Sequence, residues 1–211
     1  MYKIWCGAIF LLACITCSAQ PPGYAILTDA SAFEHSFSQT TASTESIRAD
    51  FSQEKSLSLL SEKINSSGKF WFHKKDKLKM EYLKPFSYTL ILNADRIYIR
   101  DGEKETKLSA SSNNAFRQVN HILIDCVSGN MLRNPDFQYT VYQNPGHFLI
   151  LLRPLARNLK AVYKNINIVL DKTDYSVTAV ELDEISGDRT TLRFLNKEIN
   201  VPIPETVFAI P

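Results

Sequence analysis

The stretch IRADFSQEKSLSLLSEKINSSGKFWFHKKDKLKMEY, from Ile47 to Tyr82, decides the fold. Its large apolar residues keep one parity. Ile47, Ala49 and Phe51 share a face, as do Phe70 and Phe72, with Lys74 next on that face. Leu78, Met80 and Tyr82 repeat the pattern. Strict alternation marks half-buried β-strands, because successive side chains point to opposite sides of a sheet. The inner face so defined is strongly aromatic, which suits a sheet that holds something greasy.

Working outward, the pattern continues in both directions. Leu27 to Thr40 reads as a helix, with Ala30, Phe33 and Phe37 at spacings of three and four, and Thr28 or Asp29 as its cap. Ile47 to about Leu59 is a long strand, and Ser66-Ser67-Gly68 reads as the turn after it. Lys69–Lys74 and Lys77–Leu83 are the next strands, the second broken by Pro85. Thr89–Leu92, which places Leu90 and Leu92, and Ile97–Arg100 flank the turn Asn93-Ala94-Asp95. Asp101-Gly102 signals a hairpin into a short Lys-rich strand. Asn113 to Ser128 is the clearest helix: Ala115, Phe116, Val119, Ile122, Leu123 and Cys126 form one stripe, and Gly129 ends it. Five further strands follow, at 137–142, 148–152, 166–170, 177–182 and 190–194, then a Pro-rich extended tail from Pro202 to Pro211. Roughly ten strands and two helices are too much for one flat sheet, which must curl or close. An ordinary packed core accounts for the apolar stripes as well as a ligand cavity does.

The N-terminus carries its own pattern. Lys3 is a short basic region, residues 4–15 are uninterruptedly apolar, and Cys17-Ser18-Ala19 offers small residues before Gln20. This is a signal peptide over residues 1–19, too short to span a membrane as a helix. It leaves one domain over 20–211, secreted across the inner membrane. Lipoprotein processing competes: Leu11-Leu12-Ala13-Cys14 is a passable lipobox, and Cys17 a poorer one after Thr16. Cys126 is then the last of the four cysteines. Its apolar neighbours Ile122, Leu123 and Val127 point to a core position. The formal charge of +2 implies neither a nucleic-acid partner nor an acidic one.

A search for chemistry returns little. His35, His73, His121 and His147 make no metal-ligand spacing, and no nucleophile elbow or phosphate-binding glycine loop is present. No metal, cofactor or catalytic group is expected, and the chain does not read as an enzyme. One basic cluster, Lys69, His73, Lys74, Lys75, Lys77 and Lys79, is interleaved with Phe70, Trp71 and Phe72. A secreted location argues against single-stranded nucleic acid there. A solvated hairpin, or a tip facing membrane phosphates or an acidic protein, fits better.

In their order these segments resemble the periplasmic outer-membrane lipoprotein carrier proteins of the LolA type. Ile47-Arg48-Ala49-Asp50-Phe51-Ser52-Gln53 is similar to the family's early strand, and Gly68-Lys69-Phe70-Trp71-Phe72 to its "G-x-apolar-W-apolar" strand. Leu78 to Tyr82 with Pro85, the segment from Leu90 to Tyr98, and Asp183 to Phe194 follow in family order. Asn200-Val201-Pro202-Ile203-Pro204 with Phe208 resembles its closing motif. The resemblance implies an α+β, mostly β fold: one strongly curved antiparallel sheet, an unclosed β-barrel, with helices as a lid over a hydrophobic cavity. It implies a monomeric carrier that takes lipoprotein acyl chains from an inner-membrane ABC-type release complex. The carrier delivers them to an outer-membrane acceptor or membrane. The acyl cavity would be lined by Ile47, Phe51, Phe70, Phe72, Leu78, Met80 and Tyr82, with Leu90, Leu92, Phe116 and Ile122. Where the family has a lid-linking arginine this chain has Lys74, which lacks the planar fork of donors. Lys74 is expected at the cavity mouth, bonded to carbonyls of the 113–128 helix as a latch. Two other readings stay open: a carrier of a different amphiphile, such as a glycolipid or pigment precursor, and an anchored acceptor or sensor.

Overall fold

The computed structural model describes residues 20–60, 62–74, 76–109, 122, 124–126 and 128–211. The expected signal peptide, Lys75, Phe116 and most of the 113–128 helix lie outside them. Twelve strands form a single antiparallel sheet. They are β1 (Ala25–Ile26), β2 (Ser46–Leu57), β3 (Glu62–His73), β4 (Lys77–Lys84), β5 (Tyr88–Asn93), β6 (Arg96–Asp101) and β7 (Lys104–Ser109). After the helical region come β8 (Phe137–Gln143), β9 (His147–Pro154), β10 (Tyr163–Asp171), β11 (Val177–Glu184) and β12 (Arg189–Ile199).

The sheet order is β1-β8-β9-β10-β11-β12-β2-β3-β4-β5-β6-β7. It joins two meanders, β2–β7 and β8–β12, along the β12–β2 pair, where Phe194 faces Phe51 and Ile199 faces Ile47. β1 and β7 remain the two edges, so the barrel is not closed. Strands far apart in that order nevertheless share one core. Leu92 on β5, Ile150 on β9 and Phe194 on β12 belong to the same apolar cluster, which requires the sheet to curl around it. Helix α1 (Ser31–Ser43) crosses the hollow and buries Phe33 and Phe37 there.

The unusual Ser/Thr content of α1 has a local explanation. Asp29 Oδ1 accepts the Ser31 N–H at 2.9 Å, which caps the start and holds the Asp29 carboxyl below the usual range. Thr41 Oγ1 donates to the Phe37 carbonyl at 2.8 Å, and Thr44 Oγ1 to that of Thr40 at 2.9 Å. These hydroxyls occupy carbonyls of the final turns. The helix, Ser31–Ser43, therefore starts four residues and ends three residues later than apolar spacing alone suggests.

One expected turn is not a turn. β3 runs unbroken through Ser66-Ser67-Gly68, paired with β2 from Leu57↔Glu62 to Ser46↔His73. The chain reverses instead around residues 58–60. Gly68 has a packing role: the register with β4 shifts between Ser67 and Gly68. A Cβ there would collide with the Glu81 carbonyl oxygen and sit 2.9 Å from the Phe51 ring. Only a residue without a side chain lets β4 and Phe51 approach this closely. The tail also departs from expectation. It is not fully extended but forms a 3-10 turn, Glu205–Phe208, with Phe208 fully buried. Asn93 Nδ2 donates to the Phe208 carbonyl at 3.1 Å, and Lys77 pairs with Glu205, which clasps the tail across the back of β3–β6. A Gly68→Ala variant is expected to lose roughly 2–3 kcal/mol of stability through overpacking, read as a lower urea midpoint with the slope unchanged.

Candidate functional site

The concave face is built from the parity identified in the sequence. Phe51, Phe70, Phe72, Leu78, Met80, Leu90, Leu92 and Ile122 are buried in one continuous cluster, with Ile47 and Tyr82 half-buried against it. Phe116 lies outside the described residues. The buried polar residues, Thr41, Thr44, Ser46, Thr89 and Thr191, either sit at the end of α1 or point to the opposite parity of their strands. Buried positions on the strands' inner face are thus apolar among the described residues. The inner rings meet edge to face: Phe51 and Tyr82 at 4.8 Å, Phe70 and Phe194 at 4.9 Å between centroids.

The second meander supplies the other half of the lining, which the sequence did not single out. Phe148, Ile150 and Leu152 on β9, Ile166 and Ile168 on β10, and Phe194 on β12 join the cluster. The run His147-Phe-Leu-Ile-Leu-Leu hid its parity because both faces are apolar. Leu149 and Leu151 form a separate patch on the outer face with Tyr142 and Tyr24. The usable signal was on the neighbouring strand, where Asn165 and Asn167 alternate with Ile166 and Ile168.

Helical residues close the hollow. Phe33 of α1 packs on Phe148 at 4.7 Å and lies 6.0 Å from Tyr175. From the second helical region, Ile122, Ile124 and Cys126 are buried in the same cluster. The two meet where Gly129 passes beneath Thr41: a Cβ on Gly129 would collide with Thr41 Oγ1. Polar contacts hold α1 at both ends. Tyr139 Oη donates to Glu34 Oε1 at 2.7 Å, and that bond, with burial, pushes the Tyr139 phenol up to about 12. At the other end Lys74 Nζ donates to the Ala42 carbonyl at 2.6 Å and to Glu45 Oε1 at 2.9 Å.

Lys74 thus reaches α1 on the hollow. The 113–128 segment expected as its partner lies largely outside the described residues. Around Lys74 is a cleft of about 340 Å³, bounded by Thr41 and Ala42 of α1, Phe72, Ile124, Ser128 and Arg133. The other described lysines of the basic cluster are distributed over carboxylates, and the His73 ring contacts the Lys74 carbonyl. Lys69 pairs with Asp50 at 3.2 Å, Lys77 with Glu205, and Lys79 with Glu81 at 3.6 Å while standing 5.1 Å above the Trp71 ring. It is not a bare basic surface.

Chemically reactive groups are muted. Cys126 is buried, and burial pushes its thiol well up, away from the nucleophilic thiolate. Among the described residues no group of three or more His, Cys, Asp or Glu could hold a metal. No described helix is long and apolar enough to cross a membrane. Tyr82 donates to Gln53 Oε1 at 2.9 Å, and burial pushes its phenol up to about 12.

A family model described as "Outer membrane lipoprotein carrier protein LolA" matches residues 42–211. No curated protein matches the chain by sequence. Among solved structures, it is similar to an uncharacterized conserved protein from Thermus thermophilus, with 8% identity, 87% of this chain and 95% of that one covered, and a TM-score of 0.51. It is also similar to MucB, known from Pseudomonas aeruginosa, with 12% identity, 86% and 64% covered, and a TM-score of 0.50. A LolA superfamily protein from Nitrosomonas europaea gives 9% identity, 87% and 99% covered, and a TM-score of 0.46. At such identities the likeness is one of fold.

The Tyr82 phenol carries a pH dependence whose sign is set by its raised value. The neutral form is favoured in the folded state, so its contribution is complete below pH 10 and is lost as pH rises towards about 12. The urea midpoint is expected to fall across that window, and Tyr82→Phe to remove part of the fall.

Proposed function

The chain belongs to the LolA family of outer membrane lipoprotein carrier proteins, and on that premise we propose that it is a periplasmic carrier of lipoprotein acyl chains. It would load at an inner-membrane ABC-type release complex and unload at the outer membrane. The observation that carries this reading is the uninterrupted apolar lining of a curled sheet, covered by helices rather than by further strands.

The physical case follows from that lining. Leaving an acyl chain in water costs about 0.8 kcal/mol per methylene, hence on the order of 10 kcal/mol for a long chain. An apolar hollow removes that cost without chemistry, so a carrier of this kind uses no catalytic residue. The hollow is filled by Phe33, Phe37, Ile122, Ile124 and Cys126, so cargo enters by displacing helices. A sheet held by backbone ladders resists deformation, whereas α1 is held by one apolar face, by Tyr139 near its start, and by Lys74 and Asn200 at its end. Displacement of α1 therefore exchanges Phe33 and Phe37 for acyl chain at similar burial. Such an exchange keeps binding reversible. Lys74 acts here as a latch at the C-terminal end of α1.

Phe72→Glu is expected to abolish binding of a fluorescent acyl probe while the circular dichroism spectrum stays that of the folded protein. Unchanged affinity would move that face out of the binding site. Lys74→Leu is expected to speed both loading and release of the probe in stopped-flow measurements, with equal rates refuting the latch. Native mass spectrometry of the protein recovered gently from its own envelope identifies the cargo. A lipidated peptide supports lipoprotein shuttling, a glycolipid or pigment assigns another amphiphile, and an apo mass without probe binding removes the carrier reading.

A further inference from the structure

The ten large apolar side chains that are exposed among the described residues are not scattered. All but Ile26 and Leu195 lie at one end of the sheet. That end holds the β2–β3, β4–β5 and β11–β12 turns and the β9–β10 connection. Isolated exposed apolar residues are ordinary on a protein surface, but a concentration of them marks a contact surface.

The turns are tied together. Ser58 N–H donates to Asp188 Oδ1 at 2.9 Å and Ser58 Oγ to the Ser186 carbonyl at 2.9 Å, joining the β2–β3 tip to the β11–β12 turn. Ile185 N–H donates to the Val162 carbonyl at 2.9 Å and joins that turn to the β9–β10 connection. The tip also projects. β3 pairs with β4 only from Ser67 onward, so the hairpin stands about 16 Å beyond the end of β4 at 3.3 Å per residue. At its tip Leu59 is 93% and Leu60 62% exposed, with Ile185 at 59% beside them and Phe86 at 76% on the next turn.

We propose that this end of the molecule docks on a bilayer bearing anionic headgroups, with Leu59 and Leu60 entering the headgroup–acyl boundary. Two features favour a bilayer over a protein groove. The hairpin end, which extends past the end of β4, carries no charge from Leu57 to Leu60, and a fluid interface accommodates exposed leucines without a matching cavity. The adjoining segment 155–164 carries Arg157, Lys160 and Lys164, all exposed, and no carboxylate. Their aliphatic stems lie along apolar surface while the charged ends meet phosphates. Of the carboxylates near the tip, Glu54 is held by Lys63 at 3.0 Å, Asp183 by Arg189 at 2.6 Å and Glu184 by Lys55 at 3.6 Å, and Asp188 accepts from Ser58, which leaves exposed Glu62 as a charge beside the tip. The inference builds on the carrier reading, since a carrier that touches the bilayer can release an acyl chain without exposing it to water.

The test is flotation of the purified chain with vesicles of phosphatidylethanolamine and phosphatidylglycerol, with acyl-probe affinity measured in parallel. Wild type is expected to float. Leu59→Asp/Leu60→Asp is expected to weaken vesicle binding at least about tenfold with probe affinity unchanged, and Ile185→Asp to weaken it independently. Lys160→Gln/Lys164→Gln is expected to remove the preference over phosphatidylcholine vesicles. A wild type that binds the probe but not the vesicles, or a tip variant that floats like wild type, overturns the docking surface and leaves the carrier reading standing. Vesicle binding without probe binding strikes the carrier reading alone.

Discussion

The pairing of β12 on β2 is the contact on which the rest of the structure depends. Apart from the short β1–β8 pair, every other ladder joins strands that are neighbours in sequence, and such hairpins form at low entropic cost. β12 and β2 lie more than a hundred residues apart, and their register from Arg189↔Ser56 to Ile199↔Ile47 turns two meanders into one sheet. Without it each meander would present its apolar face to water. With it, Phe194 meets Phe51 across the ladder and reaches Phe70 of β3 over the intervening β2, and one core serves both halves. The ladder also absorbs an irregularity between Leu195 and Glu198, where Asn196 takes a left-handed conformation and its side chain bonds Asp50 Oδ2 at 2.9 Å.

Curling that sheet creates the central tension of the molecule. A concave face lined by Phe, Leu and Ile must be covered, yet a cover as strong as a strand would never yield to a ligand. Helices resolve it. α1 satisfies its own backbone, so moving it exposes side chains but breaks no inter-strand ladder. Its attachment is by side chains: Phe33 and Phe37 within the core, Glu34 bonded to Tyr139, Ala42 bonded to Lys74, and Ser43 bonded to Asn200. The convex face is treated differently at the two flanks. Over β3–β6 it is covered by the tail with Phe208 inserted, and over β8–β10 by Tyr24 of the N-terminal segment. Helix against the hollow and strap against the back are thus each fixed by an inserted phenylalanine and by side-chain bonds to strands.

Much of this was legible in the residues because period-two alternation assigns faces without knowledge of partners. Ile47 to Phe51, Phe70 with Phe72, and Leu78 to Tyr82 keep their apolar residues on one parity, and each set falls on the concave side. Where alternation fails, so did the reading. β9 is apolar on both faces, so Phe148, Ile150 and Leu152 could not be told from Leu149 and Leu151. Gly68 carries the composition of a turn yet lies mid-strand, because what it accommodates, Phe51 and the Glu81 carbonyl, is brought near by pairing and not by local sequence. β1, two residues long, exists only because β8 offers an edge.

The sequence by itself determined most of the strands, the inner faces of those that alternate, and through a motif order spanning most of residues 47–208, the family. These are local properties, or properties of composition in order, and local chemistry suffices to set them. Only the tertiary structure decided which strand sits beside which, that Lys74 bonds α1, that Phe208 is buried, and that the exposed leucines gather at one end. Each depends on contacts between residues far apart in the chain, such as the 32 positions between Ala42 and Lys74 or the 115 between Asn93 and Phe208. No local pattern encodes such a contact until long-range pairing has brought the partners together.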